Sequence, residues 1–138
     1  MSKKLVYVAF DFDDVGVKNE LIRQSKLPDC TFELTNCSIE KPVDRDWPAE
    51  AERRINGCDC VIVLCGRQTH QAGGVSTEVQ IAQKLSKRYF CVAVPGQGIP
   101  TPPTHVPMNT PIYTWRWPTL TTLLDGGTPP ANAVVRYA

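Results

Sequence analysis

The sequence predicts an α/β fold: a five-stranded parallel sheet covered by helices on both faces. Three observations carry this. Val61–Cys65 and Tyr89–Pro95 are continuous apolar runs rich in β-branched and aromatic residues, as a strand buried on both faces requires. After the first run the apolar residues switch to helical spacing, at Val75, Val79, Ala82 and Leu85. Strand-like and helix-like segments then alternate along the chain with short connections, the pattern of repeated βα units.

Taken in order, Lys4–Phe12 (KLVYVAFDF) is a strand that starts apolar and ends in aromatic and acidic residues. Asp13 and Asp14 can cap a helix over Val15–Gln24, where Val17, Leu21 and Ser25 recur every fourth residue. Pro28-Asp29 marks a turn, and Thr31–Thr35 alternates apolar and polar residues as a strand near a sheet edge does. Asn36–Asp46 is polar, contains Pro42, and is a surface loop of the sort that carries function. Asp46-Trp47-Pro48 opens a short helix that Gly57 ends. Gln97–Pro111 is proline-rich and aperiodic, hence an irregular loop. Ile112–Arg116 is the fifth strand, and Pro118–Leu124 is a closing helix stopped by Gly126-Gly127. Residues 1–127 therefore make one domain and 128–138 a loosely docked tail.

At 138 residues the chain can bury a substantial core without staples. Fifteen basic against fourteen acidic residues leave a net charge of +1, which argues against nucleic acid and anionic membranes as partners. No apolar run approaches the ~20 residues that span a bilayer, and the N-terminus lacks a signal-peptide core, so a cytoplasmic protein is expected. Six cysteines are present, but Cys60, Cys65 and Cys91 lie in strand-like runs where a reduced Cys acts as a small hydrophobe. Cys58-Asp-Cys60 has neither zinc nor redox spacing, and no metal site is expected.

A flavodoxin-like strand order, 2-1-3-4-5, makes the first and third strands neighbours, with a crevice at their carboxyl ends. Phe10-Asp11-Phe12-Asp13-Asp14 then faces Gly66, Thr69, His70 and Gly73-Gly74. Glu78 is in phase with Ala82 and Leu85, so its carboxylate points along the buried stripe beside that loop. A helix-dipole role would also account for a glutamate here. Alternatively, a crevice carboxylate can hold a ribose or stabilise a developing cation. Core packing accounts for Phe10, whereas Phe12, nearer the strand's end, can stack on a planar heterocycle. Asp11, Asp13 and Asp14 resemble the acidic cluster of a receiver domain, yet capping explains Asp13 or Asp14 more simply, and Cys65-Gly66 occupies the place of the phosphoacceptor. His70 is either a surface histidine or a pH-sensitive donor. No GxxxxGK or GxGxxG is present.

Val6-Tyr-Val-Ala-Phe-Asp-Phe-Asp-Asp14, Lys18-Asn-Glu-Leu21, Phe32-Glu-Leu34, Ser38-Ile-Glu-Lys-Pro42, Arg54-Ile55, Cys60-Val-Ile-Val-Leu-Cys-Gly66, Thr69-His70, Val75 and Glu78 occur in this order. Together, over about residues 4–95, they resemble the bacterial and archaeal TIR-like domains, in the branch that includes the TIR proteins of Thoeris antiphage defence. The resemblance implies a flavodoxin-like fold and an enzyme that splits the bond between nicotinamide and ribose in NAD, with Glu78 catalytic. It further implies that Phe10, Asp11 and Phe12, the loop carrying Asn36 and Ser38, and Gly66, Thr69 and His70 border the substrate. NAD is then the substrate and no resident cofactor is expected. An ADP-ribose-derived signal, cyclic or conjugated, would act on a separate effector protein, and the chain would associate with itself through TIR surfaces. The sequence departs from many relatives of this kind in having Gly74 four residues before the glutamate, Asn36 and Ala9. A nucleoside deoxyribosyltransferase-like enzyme and a catalytically silent interaction module are the competing readings.

Overall fold

The computed structural model describes residues 4–10, 23, 32–34, 47–67, 69, 73–94, 96 and 99–138. Among them, six strands form one sheet and three α-helices flank it. The strands are β1 (Lys4–Ala9), β2 (Phe32–Leu34), β3 (Cys60–Cys65), β4 (Arg88–Ala93), β5 (Pro111–Tyr113) and β6 (Val134–Tyr137). The helices are α1 (Trp47–Asn56), α2 (Gly73–Lys84) and α3 (Trp117–Leu124). The strand order is β2-β1-β3-β4-β5-β6. The first five run parallel, in the expected 2-1-3-4-5 arrangement, and β6 is antiparallel to β5.

The sheet is therefore one strand larger than the sequence suggested. The tail, expected to dock loosely, contributes β6, with Ile112 opposite Arg136 and Pro111 opposite Tyr137. The physical reason is that β5, only three residues long, leaves an edge that an extended Val-Val-Arg-Tyr segment can pair with. The Ala138 N–H donates to the Thr110 carbonyl at 2.9 Å, and the Asn109 N–H to the Ala138 carbonyl at 2.8 Å, extending the pairing beyond the strand.

Some boundaries also move. β1 ends at Ala9 instead of continuing through Phe12, and Asp11 and Phe12 lie outside the described residues. β5 ends at Tyr113 and not at Arg116, because the Arg116 N–H turns back to the Thr114 carbonyl at 3.0 Å and α3 starts at Trp117. The helix expected over Val15–Gln24 and the Asn36–Asp46 loop fall outside the described residues, apart from helical Arg23. Gly126, at φ +90°, takes the left-handed conformation that ends α3, and its N–H bonds the Leu123 carbonyl.

Two apolar clusters fill the spaces on either side of the sheet. Strand alternation sorts the residues: Val6, Val8, Ile62 and Leu64 pack with Leu120, Leu123 and Leu124 of α3. Tyr7, Ala9, Val61, Val63 and Cys65 meet Ala51 and Ile55 of α1 and Val75, Val79 and Ala82 of α2. Every β3 side chain is buried, so this strand is the centre of a three-layer structure. Arg88 ties α3 to β4 by donating to the Leu123 and Gly127 carbonyls at 2.5 and 3.2 Å. The four described cysteines, Cys58, Cys60, Cys65 and Cys91, are buried and form no disulfide with one another, in the packing role expected of them. Among the described residues no helix is long and apolar enough to cross a membrane.

Candidate functional site

The β3–α2 unit positions the site. Gly66 follows β3 immediately, and its N–H donates to Thr69 Oγ1 at 2.6 Å, closing a tight turn in which Thr69 is almost completely buried. From the other side the proline-rich segment folds over the strand's end. The Thr101 N–H reaches the Gly66 carbonyl at 2.8 Å, and Thr101 Oγ1 donates to the same oxygen at 3.1 Å. The Thr104 N–H donates to Ser76 Oγ of α2 at 3.2 Å. Gly66 is thus held by two polar side chains at the point where α/β sheets present their ligand crevice. Gly73 and Gly74 form the first turn of α2, neither requiring a positive φ.

Glu78 is the sixth residue of α2, in its second turn. It is 6% exposed and shares the inner stripe with Val75, Val79 and Ala82, as its phase predicted. A helix dipole acts mainly within the first turn, so it explains little of a glutamate placed here and buried. The carboxyl instead meets the sheet: the Tyr7 hydroxyl, on β1, donates to Glu78 Oε2. The levels agree. Five residues into α2 is about 7.5 Å from its start, and Tyr7 lies two residues, about 6.6 Å, before the end of β1.

Burial dominates the electrostatics of this pair. It pushes the Glu78 carboxyl up to about 8, and the Tyr7 hydroxyl opposes the shift by stabilising the ionised form. At neutral pH the carboxyl is mostly protonated. Among the described residues no ion pair offsets this desolvation, and the Tyr7 hydroxyl opposes it. A carboxyl in this condition can gain a proton readily and ionises when positive charge arrives next to it.

Of the residues singled out in the sequence, the structure joins Gly66 to Thr69 and buries Glu78 on the helix that follows. Phe10 is buried in the α3-side cluster, on the other face of the sheet from Tyr7 and Ala9, in the core-packing role its place in the strand gave it, because it continues the alternation of Val6 and Val8. Asp11, Phe12, Asn36, Ser38 and His70 lie outside the described residues. Sequence reasoning missed Tyr7, whose signal was a phenol in an otherwise apolar buried strand: a buried Tyr hydroxyl usually has a polar partner. It also missed Thr101 and Ser76, which carry no local signal. A pocket of about 270 Å³ between Arg116, Thr119, Thr122 and Asn132 belongs to the α3 side and takes no part in this site.

Compared with protein families, residues 7–98 match the one described as Thoeris protein ThsB, TIR-like domain. The matched segment spans the second half of β1 and all of β2, β3 and β4, and includes Tyr7, Gly66, Thr69 and Glu78. No curated protein matches the chain.

Proposed function

The chain belongs to the TIR-like domain family of the Thoeris protein ThsB, and from that premise we propose that it cleaves the nicotinamide–ribose bond of NAD to make a signal in antiphage defence. The observation that carries the proposal is Glu78: a carboxyl on the helix that follows the central strand and the Gly66–Thr69 turn, buried and held by Tyr7. Departure of nicotinamide leaves positive charge on the ribose, and an ionised carboxylate nearby lowers the barrier to it. The nicotinamide ring of NAD is itself cationic. Its approach favours release of the Glu78 proton, so substrate entry charges the group that cleavage uses.

The same reading extends to product and partners. ADP-ribose, cyclised or conjugated, acts as a small-molecule signal on a separate effector protein, NAD serves as substrate with no resident cofactor, and copies of the chain associate through their TIR surfaces. A carboxyl that rests protonated and enclosed also suits an enzyme that stays quiet until assembly or infection opens the site.

The test is NAD consumption by concentrated protein, with products separated and weighed by mass spectrometry, beside Glu78→Gln. Nicotinamide release that disappears in the variant supports the proposal, and the mass of the second product identifies the signal. If neither the purified chain nor phage-infected cells yield a Glu78-dependent nucleotide, the enzyme reading is wrong. A sugar adduct on Glu78 formed from deoxynucleosides would point to deoxyribosyl transfer instead.

A further inference from the structure

We propose that Thr101 and Arg136 are positioning residues for the site at the end of β3, which they hold from a part of the chain beyond the family match. The matched residues stop at 98, and both of these follow them. The inference rests on the NAD reading for what the site takes, and on the contacts of the segment after β4 for how the site is held.

The stretch from Pro100 to Val106 runs along the β3–α2 connection and touches it at both ends. At the first end Thr101 Oγ1 lies 3.1 Å from both the Gly66 and the Arg67 carbonyl oxygens and donates its one proton between them. At the second the Thr104 N–H donates to Ser76 Oγ at 3.2 Å, two residues before Glu78 on α2. Further on, Gln83 Nε2 donates to the His105 carbonyl at 2.9 Å, and Val106 is buried in the cluster that α2 covers. Gly66 and Ser76 bracket Thr69, so the stretch fixes both ends of the connection that carries it. Prolines at 100, 102 and 103 restrict φ at three positions, and Pro100 and Pro103 are buried. Such a segment has little freedom to lose on folding and acts as a stiff brace.

One peptide group makes this brace depend on the last strand. The Thr101 N–H donates to the Gly66 carbonyl at 2.8 Å, and the carbonyl of the same peptide, that of Pro100, accepts from Arg136 Nη1 at 3.1 Å. The plane is therefore held at both ends. A cationic donor on its oxygen polarises the group and strengthens what its N–H gives to Gly66. Arg136 is itself placed by β6, opposite Ile112 of β5. The Gly66 and Arg67 peptide groups are thus kept in one orientation at the strand end where a ligand would meet them, and a displacement of about 1 Å there is enough to weaken binding. Neither side chain belongs to the two apolar clusters, so removing its polar atoms disturbs the frame of the site and not the core.

The experiment follows the Gly66 and Thr69 amides by NMR as NAD is added to the whole chain, in the Glu78→Gln background so that NAD is not consumed. Thr101→Val, Thr101→Ser and Arg136→Gln are compared with that parent, and amide exchange at Thr101 is read without NAD. The dissociation constant should rise about three- to tenfold in Thr101→Val and Arg136→Gln and return to the parent's value in Thr101→Ser. Exchange at the Thr101 amide should quicken in Arg136→Gln while the β3 amides stay as slow as in the parent, which separates a local change from a loosened fold. NAD affinity equal to the parent's in either variant overturns the role of that residue, and unchanged Thr101 exchange in Arg136→Gln overturns the brace. A parent in which NAD moves neither amide overturns the NAD reading, and the positioning role with it. If Thr101→Val fails to fold, the exposed Arg136 carries the same comparison.

Discussion

Replacing Glu78 by glutamine should flatten the pH dependence of stability, and the size of the change follows from the burial of the carboxyl. In the unfolded chain the group titrates near 4.5, and in the fold it is raised to about 8. Between those values the folded protein holds a proton that the unfolded chain has released. Stability from this group is then fully present below the lower value and is lost as pH rises through the upper one, at roughly 1.4 kcal/mol per pH unit. From roughly pH 5 to roughly pH 7 the loss is about 3 kcal/mol, a large part of the ~5 to 15 kcal/mol that holds a typical domain together. Glutamine keeps the shape, can accept from Tyr7, and does not titrate. Urea unfolding of both proteins across this window gives two stability curves, and their difference isolates the one carboxyl from every other titrating group. The glutamate protein should lose ground to the variant steadily as pH rises. Parallel curves would refute the reasoning, because they would mean that Glu78 titrates alike in the folded and unfolded chains and is not desolvated.

The partner and the surrounding frame give further expectations. Tyr7→Phe removes the donor that favours the ionised carboxyl, so it should cost about 1 to 2 kcal/mol in urea unfolding and move the upper end of the Glu78 pH window higher. Thr69→Val keeps the buried shape but leaves the Gly66 N–H without its acceptor. A loss of about 1 kcal/mol and faster amide exchange at Gly66 should follow, with Leu124 and its neighbours unaffected. Leu124→Ala, in the cluster on the other side of the sheet, should cost about 2 to 5 kcal/mol through its cavity and leave the pH profile of Glu78 unchanged.

Where the sequence could be read, one local pattern was enough. The unbroken Val61–Cys65 run is a strand because nothing polar interrupts it, and it is buried throughout. Glu78 was legible as an inward residue from its spacing to Ala82, without knowing what it would meet. What it meets depends on which face of the sheet α2 covers, and no local pattern encodes that. Once α2 is known to cover the Tyr7 and Ala9 face, strict alternation assigns Phe10 to the other one, where it packs as core. β6 escaped for a similar reason. Four residues after Thr-Pro-Pro-Ala-Asn carry little signal of their own, and they become a strand because β5 offers an edge, a contact set by chain topology.

Under the proposed chemistry, a carboxyl raised to about 8 is an economical resting state. At pH 7 the carboxyl rests mostly neutral, and ionising it costs on the order of 1 kcal/mol. A cationic ring held about 5 Å away in surroundings of effective dielectric ~20 repays roughly 3 kcal/mol, more than the deficit. The balance therefore reverses when substrate enters and not before. A carboxylate ionised at rest would gain no such contrast, and one buried a few units more deeply would stay neutral even beside the cation. The Tyr7 hydroxyl sets where Glu78 falls between those limits, since among the described residues it favours the charged form against burial. On this view the phenol on β1 adjusts the carboxyl on α2 into the narrow range where the substrate itself can switch it.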